Sequence, residues 1–405
     1  MKILVFSDHF RPEPSAPAAH VYERCRLWVR EGHKVTVITS APNFPEGRVY
    51  PGYRNAWRTV ESLDGIRVVR VKTFMARNEG FVLRTLDYLS YMVTAFLFGC
   101  WEETPDVVMS TSPHLFVPVS ALAWAMLRRV PHVMEVRDLW PASLASTAAL
   151  RPGAAYRCLE AVELVLYRRS TRIVALTHTI ARDIARRGIR ATKIDVVVNG
   201  ANLDLFCPKV RDAELASSMG LSDRFVVGYL GTLGLAHGLE NVIDTAELLR
   251  DTDITFMFVG VGAAKGSLTR AVEKRGLANV VFAPRQLKED MPRFWSLCDL
   301  SLIHLKNDPL FAGAIPSKIF ESMAMGIPIV YVGPESEGTA IVEQHSAGIA
   351  VPAGNPSALA NALRLLRSSP QRMRELSEHS LTAAPLYSRE RQAKDTLRSL
   401  RLAAR

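Results

Sequence analysis

The sequence predicts an α/β protein made of two doubly wound domains, each a mostly parallel sheet covered by helices. Three observations carry this. Its 405 residues exceed a single domain at roughly 100 to 200 residues apiece. Short β-branched runs alternate with helical patterns from end to end, the signature of βα units. The alternation is interrupted once, by the irregular stretch from Asn199 to Asp223.

In the first half, buried-strand patterns fall at Lys2 to Phe6, Lys34 to Thr39, Ile66 to Val71, Asp106 to Ser110, His132 to Val136, Arg172 to Leu176 and Ile194 to Val198. Helical spacing fits Ala18 to Arg30, Phe81 to Gly99 and Ala154 to Arg169. In the second half, strands are expected at Phe225 to Leu230, Ile254 to Val259, Val280 to Phe282, Leu300 to His304, Ile327 to Tyr331 and Gly348 to Val351. Helices are expected to begin near Gly238, Lys265, Lys288, Ser317 and Glu337, and Tyr387 to Arg405 reads as a basic amphipathic helix. Residues 1–207 and 208–385 are the two expected domains, followed by the segment 386–405.

Hydrophobic residues make up 48% and charged residues 22%, close to globular averages, so a packed core is expected rather than disorder. Five scattered cysteines without a CxxC pair argue against a disulfide scaffold or a structural zinc site and for a reducing compartment. The apolar start is too short for a secretory leader. Tyr88 to Trp101 and Leu115 to Leu127 fall short of the roughly 20 apolar residues that span hydrocarbon. The formal charge of +10 invites anionic partners. It is uneven: 27 basic and 19 acidic residues up to Cys207, against 23 and 21 beyond it.

Doubly wound sheets bind ligands at the carboxyl ends of their strands, where helix N-termini offer unpaired amides to anions. Gly228 to Gly234 follows a strand and precedes a helix, so Gly231 and Thr232 are placed to approach a phosphate; the spacing does not fit GxGxxG, which disfavours a nicotinamide cofactor. In Gly313 to Pro328, Lys318 and Glu321 stand on one helix face. A cation near that N-terminus reinforces the dipole toward a diphosphate, and a carboxylate one turn later accepts ribose hydroxyls. Taken alone, such a pair is commonly a surface ion pair. Arg137 and Asp138 follow a strand at its carboxyl end, which fits either a buried ion pair or, as the strand-end position favours, an acceptor role. Asp251-Thr252-Asp253 has the DxD pattern of a metal site but sits in a short turn before a strand, so a solvated turn is expected.

Further motifs carry a resemblance. Glu31 to Thr39, Val198 to Asn202 with Phe206 and Pro208, and Phe320 to Pro328 are similar to the GHxVxVIT, PNGVDxxxFxP and helix-GxP motifs of glycosyltransferase family 4. The chain resembles a GT-B nucleotide-sugar glycosyltransferase of that family over its length. The wording around Pro42, Arg137 and Gly313 is similar to the fucosamine-type transferases of bacterial surface polysaccharide assembly. The resemblance implies two Rossmann-like domains facing a cleft, an acceptor half and a nucleotide-sugar half, and a C-terminal helix crossing back to the first domain.

It implies a donor site of Gly231, Thr232, Arg285, Gly313, Ala314, Ile315, Ser317, Lys318 and Glu321, with the backbone amides of Ala312 to Ile315 replacing the first acid of the family's Glu-x7-Glu, whose position is held by Gly313. Thr232 and His237 stand where the family's phosphate-binding Arg and Lys fall, leaving Lys318 and Arg285 for the diphosphate. Ser15, Ala16, Arg137, Asp138 and Asn199 are the acceptor-side candidates. Lys318, Glu321, Asp138 and His114 are the catalytic ones, His114 being the histidine nearest the position where relatives carry one.

The function expected is transfer of an N-acetylated deoxyhexose, with retention, from a UDP-linked sugar to a polyprenyl-diphosphate-linked saccharide in O-antigen or capsule biosynthesis. No cofactor and no metal are expected, because Lys318 and helix amides can meet the leaving charge. The arginines between Arg168 and Arg190 read alone as a solvated face and Tyr88 to Trp101 as a buried core helix; taken together with the basic first domain they point to a peripheral site on the cytoplasmic face of the plasma membrane. The enzyme alternative is a nucleotide-sugar 2-epimerase of similar fold. A basic nucleic-acid-binding protein fits the charge but lacks stacking aromatics among those arginines and any recognition motif.

Overall fold

The computed structural model describes residues 1–44, 46–75, 81–112, 114–141, 153–308, 311 and 313–405. These divide into two units, Met1–Val198 with Gln392–Arg405, and Asn199–Arg391.

Unit 1 contains β1 (Lys2–Phe6), α1 (Ala16–Arg30), β2 (Lys34–Ser40), β3 (Arg58–Leu63), β4 (Ile66–Val71), α2 (Phe81–Gly99), β5 (Val107–Thr111), α3 (Phe116–Arg128), β6 (His132–Val136), α4 (Ala154–Arg169), β7 (Arg172–Ala175), α5 (His178–Arg186) and β8 (Ile194–Val196). Among the described residues the sheet runs β3-β4-β2-β1-β5-β6-β7-β8. It is parallel except for β3, which pairs antiparallel with β4 across Asp64-Gly65. Both turn residues have positive φ, 50° and 77°, as a two-residue hairpin requires. The period of two sends Ile3, Val5, Val35, Val37, Val107 and Met109 to one face of the sheet, against Val21, Cys25 and Trp28 of α1. It sends Leu4, Phe6, Ile38 and Val108 to the other, against Tyr91 and Ala95 of α2 and Ala121 and Trp124 of α3.

Unit 2 contains α6 (Ala213–Ser218), β9 (Phe225–Leu230), α7 (Glu240–Leu248), β10 (Ile254–Val259), α8 (Lys265–Arg275), β11 (Val280–Ala283), α9 (Met291–Trp295), β12 (Leu300–His304), α10 (Lys318–Met325), β13 (Ile329–Gly333), α11 (Glu337–Gln344), β14 (Gly348–Pro352), α12 (Pro356–Arg367) and α13 (Pro370–Ala383). Its described strands run β11-β10-β9-β12-β13-β14, all parallel. The strand expected to begin at Ile327 starts at Ile329, because Ile327 closes the turn after α10 through its amide to the Ser322 carbonyl at 2.9 Å. The last helix, α14 (Arg389–Ala403), enters the core of unit 1. Ala393, Leu397, Leu400 and Ala403 pack there, and Trp28 Nε1 donates to the Ala393 carbonyl at 3.0 Å.

The chain divides at Val198 and Asn199 rather than at Cys207. Ala201 forms a parallel bridge to Ser388, and its backbone exchanges hydrogen bonds of 2.9 Å with Tyr387 and Arg389, which ties the stretch after Val198 to unit 2. Asn199 is therefore buried in unit 2 and does not belong to the acceptor half as expected. The charge also separates along this division: unit 1 holds 31 Lys and Arg against 19 Asp and Glu, unit 2 holds 19 against 21.

Candidate functional site

In an open α/β sheet the binding crevice lies beyond the carboxyl ends of the strands, where strand order reverses. In unit 2 that point lies between β9 and β12, which flank each other while β10 and β13 lead away in opposite directions. The side chains collected there come from segments far apart in sequence.

Gly231, the residue after β9, has φ +138°, and an added Cβ would lie 3.2 Å from Lys318 Nζ and 3.3 Å from Lys318 Cε. Lys318 opens α10 and lays its ammonium 3.6 Å from the centroid of the Tyr229 ring. The Tyr229 hydroxyl donates to the Thr232 carbonyl at 2.8 Å, holding the loop over the strand end. Next to it, His304 Nδ1 donates to the His237 carbonyl at 2.6 Å and His304 Nε2 accepts from Asn241 Nδ2 at 3.1 Å. His237 Nδ1 is buried without a hydrogen-bond partner among the described residues. Backbone packing leaves no slack: at Gly260, φ +147°, an added Cβ would overlap the Gly231 carbonyl oxygen.

The electrostatics of this cluster are unusual for a lysine and two histidines. Burial pulls the Lys318 ammonium down to about 7, against the opposing pull of Glu321. Burial, helped by the nearby Lys318 charge, also takes His237 and His304 down to about 4. Both imidazoles are thus neutral at neutral pH, and the cluster carries at most one cation, on Lys318, whose full charge waits for an anion.

The other donor-side candidates are placed as follows. Ser317 caps α10 without a side-chain hydrogen bond, and Glu321 lies in the first turn, partly buried. Gly313 and Ile315 are partly buried in the preceding loop. The Ala314 amide donates to the Phe311 carbonyl at 3.0 Å, so it is already used within the loop and is not the free donor expected of it. Ala312 lies outside the described residues. Arg285 is exposed beyond the end of β11, two strands away from β9, and the structure does not bring it to Lys318. Asp253 of the DxD turn is at the amino end of β10, and its carboxylate accepts from Arg367 at 2.6 Å. Tyr229, His304 and Asn241 escaped sequence reasoning; a glycine loop closing on an aromatic strand residue was the available signal.

In unit 1 the order reverses between β1 and β5. A recess there is lined by Asp8, His9, Pro17, Thr111, Ser112 and His114. His114 is buried, donates from Nε2 to Asp8 at 3.2 Å, and stacks on Tyr88 at 3.9 Å between centroids. His9 Nδ1 donates to Glu13 at 2.7 Å, and the second Glu13 oxygen accepts from the amides of Asn43 and Phe44. Burial opposes charge on His9, but Glu13 and Asp8 outweigh it and raise it to about 9. Burial likewise raises Asp8, but the His114 hydrogen bond and the His9 charge hold it below its ordinary value. Burial wins at His114, which is lowered and stays neutral. The result is an ordered row of carboxylates about a charged His9.

Arg137 donates to His20 Nδ1 at 2.8 Å, and its amide to Ser112 Oγ at 2.8 Å. Asp138 is exposed, so the two do not form the buried pair that was one reading of them. The buried ion pair here is Arg24 with Glu135, which also accepts from Thr111 at 2.6 Å. Burial works against the Glu135 charge, yet Arg24 holds its carboxyl at about 2. Ser15 caps α1, accepting from the Ala18 amide at 3.3 Å, and Ala16 is exposed in the first turn.

Comparison with known proteins bears on both halves. Residues 15–200 match the family model of the glycosyl transferase 4-like domain, and residues 224–369 that of glycosyl transferases group 1. The chain is 27% identical over 335 residues to the putative colanic acid biosynthesis glycosyl transferase WcaI of Escherichia coli, covering 80% of this chain and 82% of that protein. It is 24% identical to the probable glycosyltransferase WbjE of Pseudomonas aeruginosa, over 68% and 70%. Among solved structures, sucrose-phosphate synthase from Thermosynechococcus elongatus superposes with a TM-score of 0.76 at 17% identity, over 99% of this chain and 98% of that one. Anabaena Alr3699/HepE in complex with UDP gives 0.72 at 17%, over 99% and 100%.

Proposed function

From the premise that the chain belongs to the GT-B glycosyltransferases, its first half matching the 4-like family and its second half group 1, we propose that it transfers a hexosyl unit from a UDP-linked sugar to a lipid-diphosphate-linked saccharide in bacterial surface polysaccharide assembly. The sugar of this reading is an N-acetylated deoxyhexose, as in the fucosamine-type transferases, and the anomeric configuration is retained. The names of the relatives from Escherichia coli and Pseudomonas aeruginosa support the process, and the UDP complex of the Anabaena protein supports the donor.

The observation that carries the reading is Lys318 folded against Gly231 and the Tyr229 ring at the strand-order reversal of unit 2. A diphosphate at that point replaces lost hydration and returns full charge to the ammonium, as preorganised stabilisation of a leaving group requires. Glu321, one turn along α10, takes the ribose hydroxyls. On the retaining path the acceptor hydroxyl attacks the anomeric carbon from the face the diphosphate leaves. The sugar–phosphate C–O bond breaks as the new C–O bond forms, and the departing phosphate oxygen takes the hydroxyl proton. The protein supplies orientation and charge rather than a strong base. No metal or cofactor enters this reading. Asp138 and Arg137, with Ser15 and Ala16, are its acceptor-side residues in unit 1, and the acceptor's lipid sets the enzyme at a cytoplasmic membrane surface.

Incubation with UDP-sugars and extracted lipid-linked acceptor, read by mass spectrometry, tests the proposal. Acceptor-dependent gain of one sugar mass is expected. Conversion of the donor to an epimer without acceptor would replace this reading with the epimerase one.

A further inference from the structure

α2 is packed on its inner side through Tyr91, Thr94 and Ala95, yet its outer side is apolar as well. Leu83, Leu86, Val93 and Leu97 are exposed, and Trp101, just past the helix, is 70% exposed. The spacing of three, seven and four residues puts Leu83, Leu86, Val93 and Leu97 in one stripe about 21 Å long at 1.5 Å per residue. No charged residue occurs from Tyr88 to Trp101. Soluble surfaces carry apolar side chains singly; a continuous row marks an interaction surface.

At its Trp101 end the stripe widens into an aromatic cluster ringed by cations. Phe98 lies 6.5 Å from Trp57 and 5.2 Å from Trp101, and Trp57 is 63% exposed. Lys72 Nζ stands 4.5 Å from the Trp57 centroid, and the Arg58 guanidinium, which also donates to the buried Glu102 at 2.6 Å, lies 5.9 Å from that of Trp101. Arg128 donates to the Cys100 carbonyl at 2.6 Å. Ala123, Met126 and Leu127 of the neighbouring α3 add exposed apolar surface, followed by exposed Arg128 and Arg129.

We propose that this face, and not the arginines between Arg168 and Arg190, seats the protein on an anionic bilayer, with α2 lying in the interfacial plane. The inference rests on the membrane partner of the function proposed above and names the surface that meets it. A stripe of leucine and valine fits the acyl boundary, tryptophans fit the headgroup level, and flanking cations fit lipid phosphates. The excess of 31 basic over 19 acidic residues in unit 1 acts in the same direction. A second copy is a poorer occupant. Two-fold pairing of the stripes would bring the Arg58, Lys72 and Arg128 clusters against themselves. Arg172 and Arg187 of the other cluster pair with Asp195 and Glu163, as Arg58 does with Glu102 here; what favours this face is the exposed apolar stripe beside its cations.

Cosedimentation of the full chain with vesicles of phosphatidylcholine, alone or mixed with phosphatidylglycerol, tests this. The protein is expected to sediment with the mixed vesicles in low salt and less in high salt. V93E/L97E is expected to lower partition by roughly tenfold or more, and K72E to lower it only on the mixed vesicles. Unchanged melting temperature and unchanged UDP affinity in both variants separate a docking defect from misfolding and from failure of the donor site. Absence of binding to mixed vesicles in low salt, or wild-type partition by V93E/L97E, would overturn the proposal. So would a stripe-dependent dimer in analytical ultracentrifugation that binds no vesicles.

Discussion

Nucleoside diphosphate affinity should fall as pH rises above neutrality, and the structure sets where the fall begins. Lys318 is needed charged but is held at about 7 in the empty protein by burial, with Glu321 opposing. A bound diphosphate favours the ammonium and raises that value. Above 7 the charged fraction drops tenfold per pH unit, so affinity for UDP drops by about fifteenfold between pH 7 and about pH 8.5. His237 and His304, at about 4, stay neutral over this range, and the phosphate itself, with a second pKa near 6, is fully ionised. Isothermal titration in buffers of different ionisation enthalpy reads the effect twice, as affinity and as uptake of close to one proton per UDP at high pH. A flat affinity with no buffer dependence would refute the reasoning. The same shift has a stability consequence of known sign. A lysine whose folded value lies below its unfolded one destabilises the fold increasingly as pH falls from 10.5 through 7, so Lys318→Met should melt higher than wild type near pH 6.

Other substitutions follow from the packing. Gly260→Ala forces a Cβ onto the Gly231 carbonyl and should unfold unit 2 or abolish donor binding, whereas Gly276→Ala, with φ +60° and open space around it, should cost only about 1–2 kcal/mol; thermal melts compare them. Glu135→Gln leaves the Arg24 guanidinium buried without its counter-charge, costing about 3–5 kcal/mol in urea unfolding. Because burial is outweighed by Arg24 and the Glu135 carboxyl sits at about 2, its stabilisation is present above pH 4.5 and lost toward 2; the variant should show a shallower acid slope over that window. Leu400→Ala, at a fully buried position of α14, should cost about 2–5 kcal/mol and lower the unit 1 transition in calorimetry while leaving the unit 2 transition in place.

The sheets were legible because buried parallel strands are nearly continuous apolar runs, and runs such as Ile254 to Val259 have no competing helical reading. β3 escaped because it is a polar antiparallel edge strand, although Asp64-Gly65 between two alternating segments was its signal. The C-terminal helix could be drawn and the resemblance placed it on the first domain, but the residues it meets there, Trp28 against Ala393 among them, have no local signal. Lys318 could be singled out from its helix position, but its contact with Gly231 and Tyr229 joins residues nearly ninety apart and has no local pattern. The same holds for Asp8 with His114 and for Arg24 with Glu135. Such pairs are made by strand order, which brings β1 beside β5 and β5 beside β6, and sequence spacing alone carries no trace of them.

The most direct test of the donor site is titration of wild type and Lys318→Met with UDP, GDP, TDP and their sugars at about pH 7. Loss of a charge-assisted hydrogen bond predicts affinity lower by about tenfold or more for the preferred nucleotide in the folded variant. Equal affinity in wild type and Lys318→Met would contradict the account.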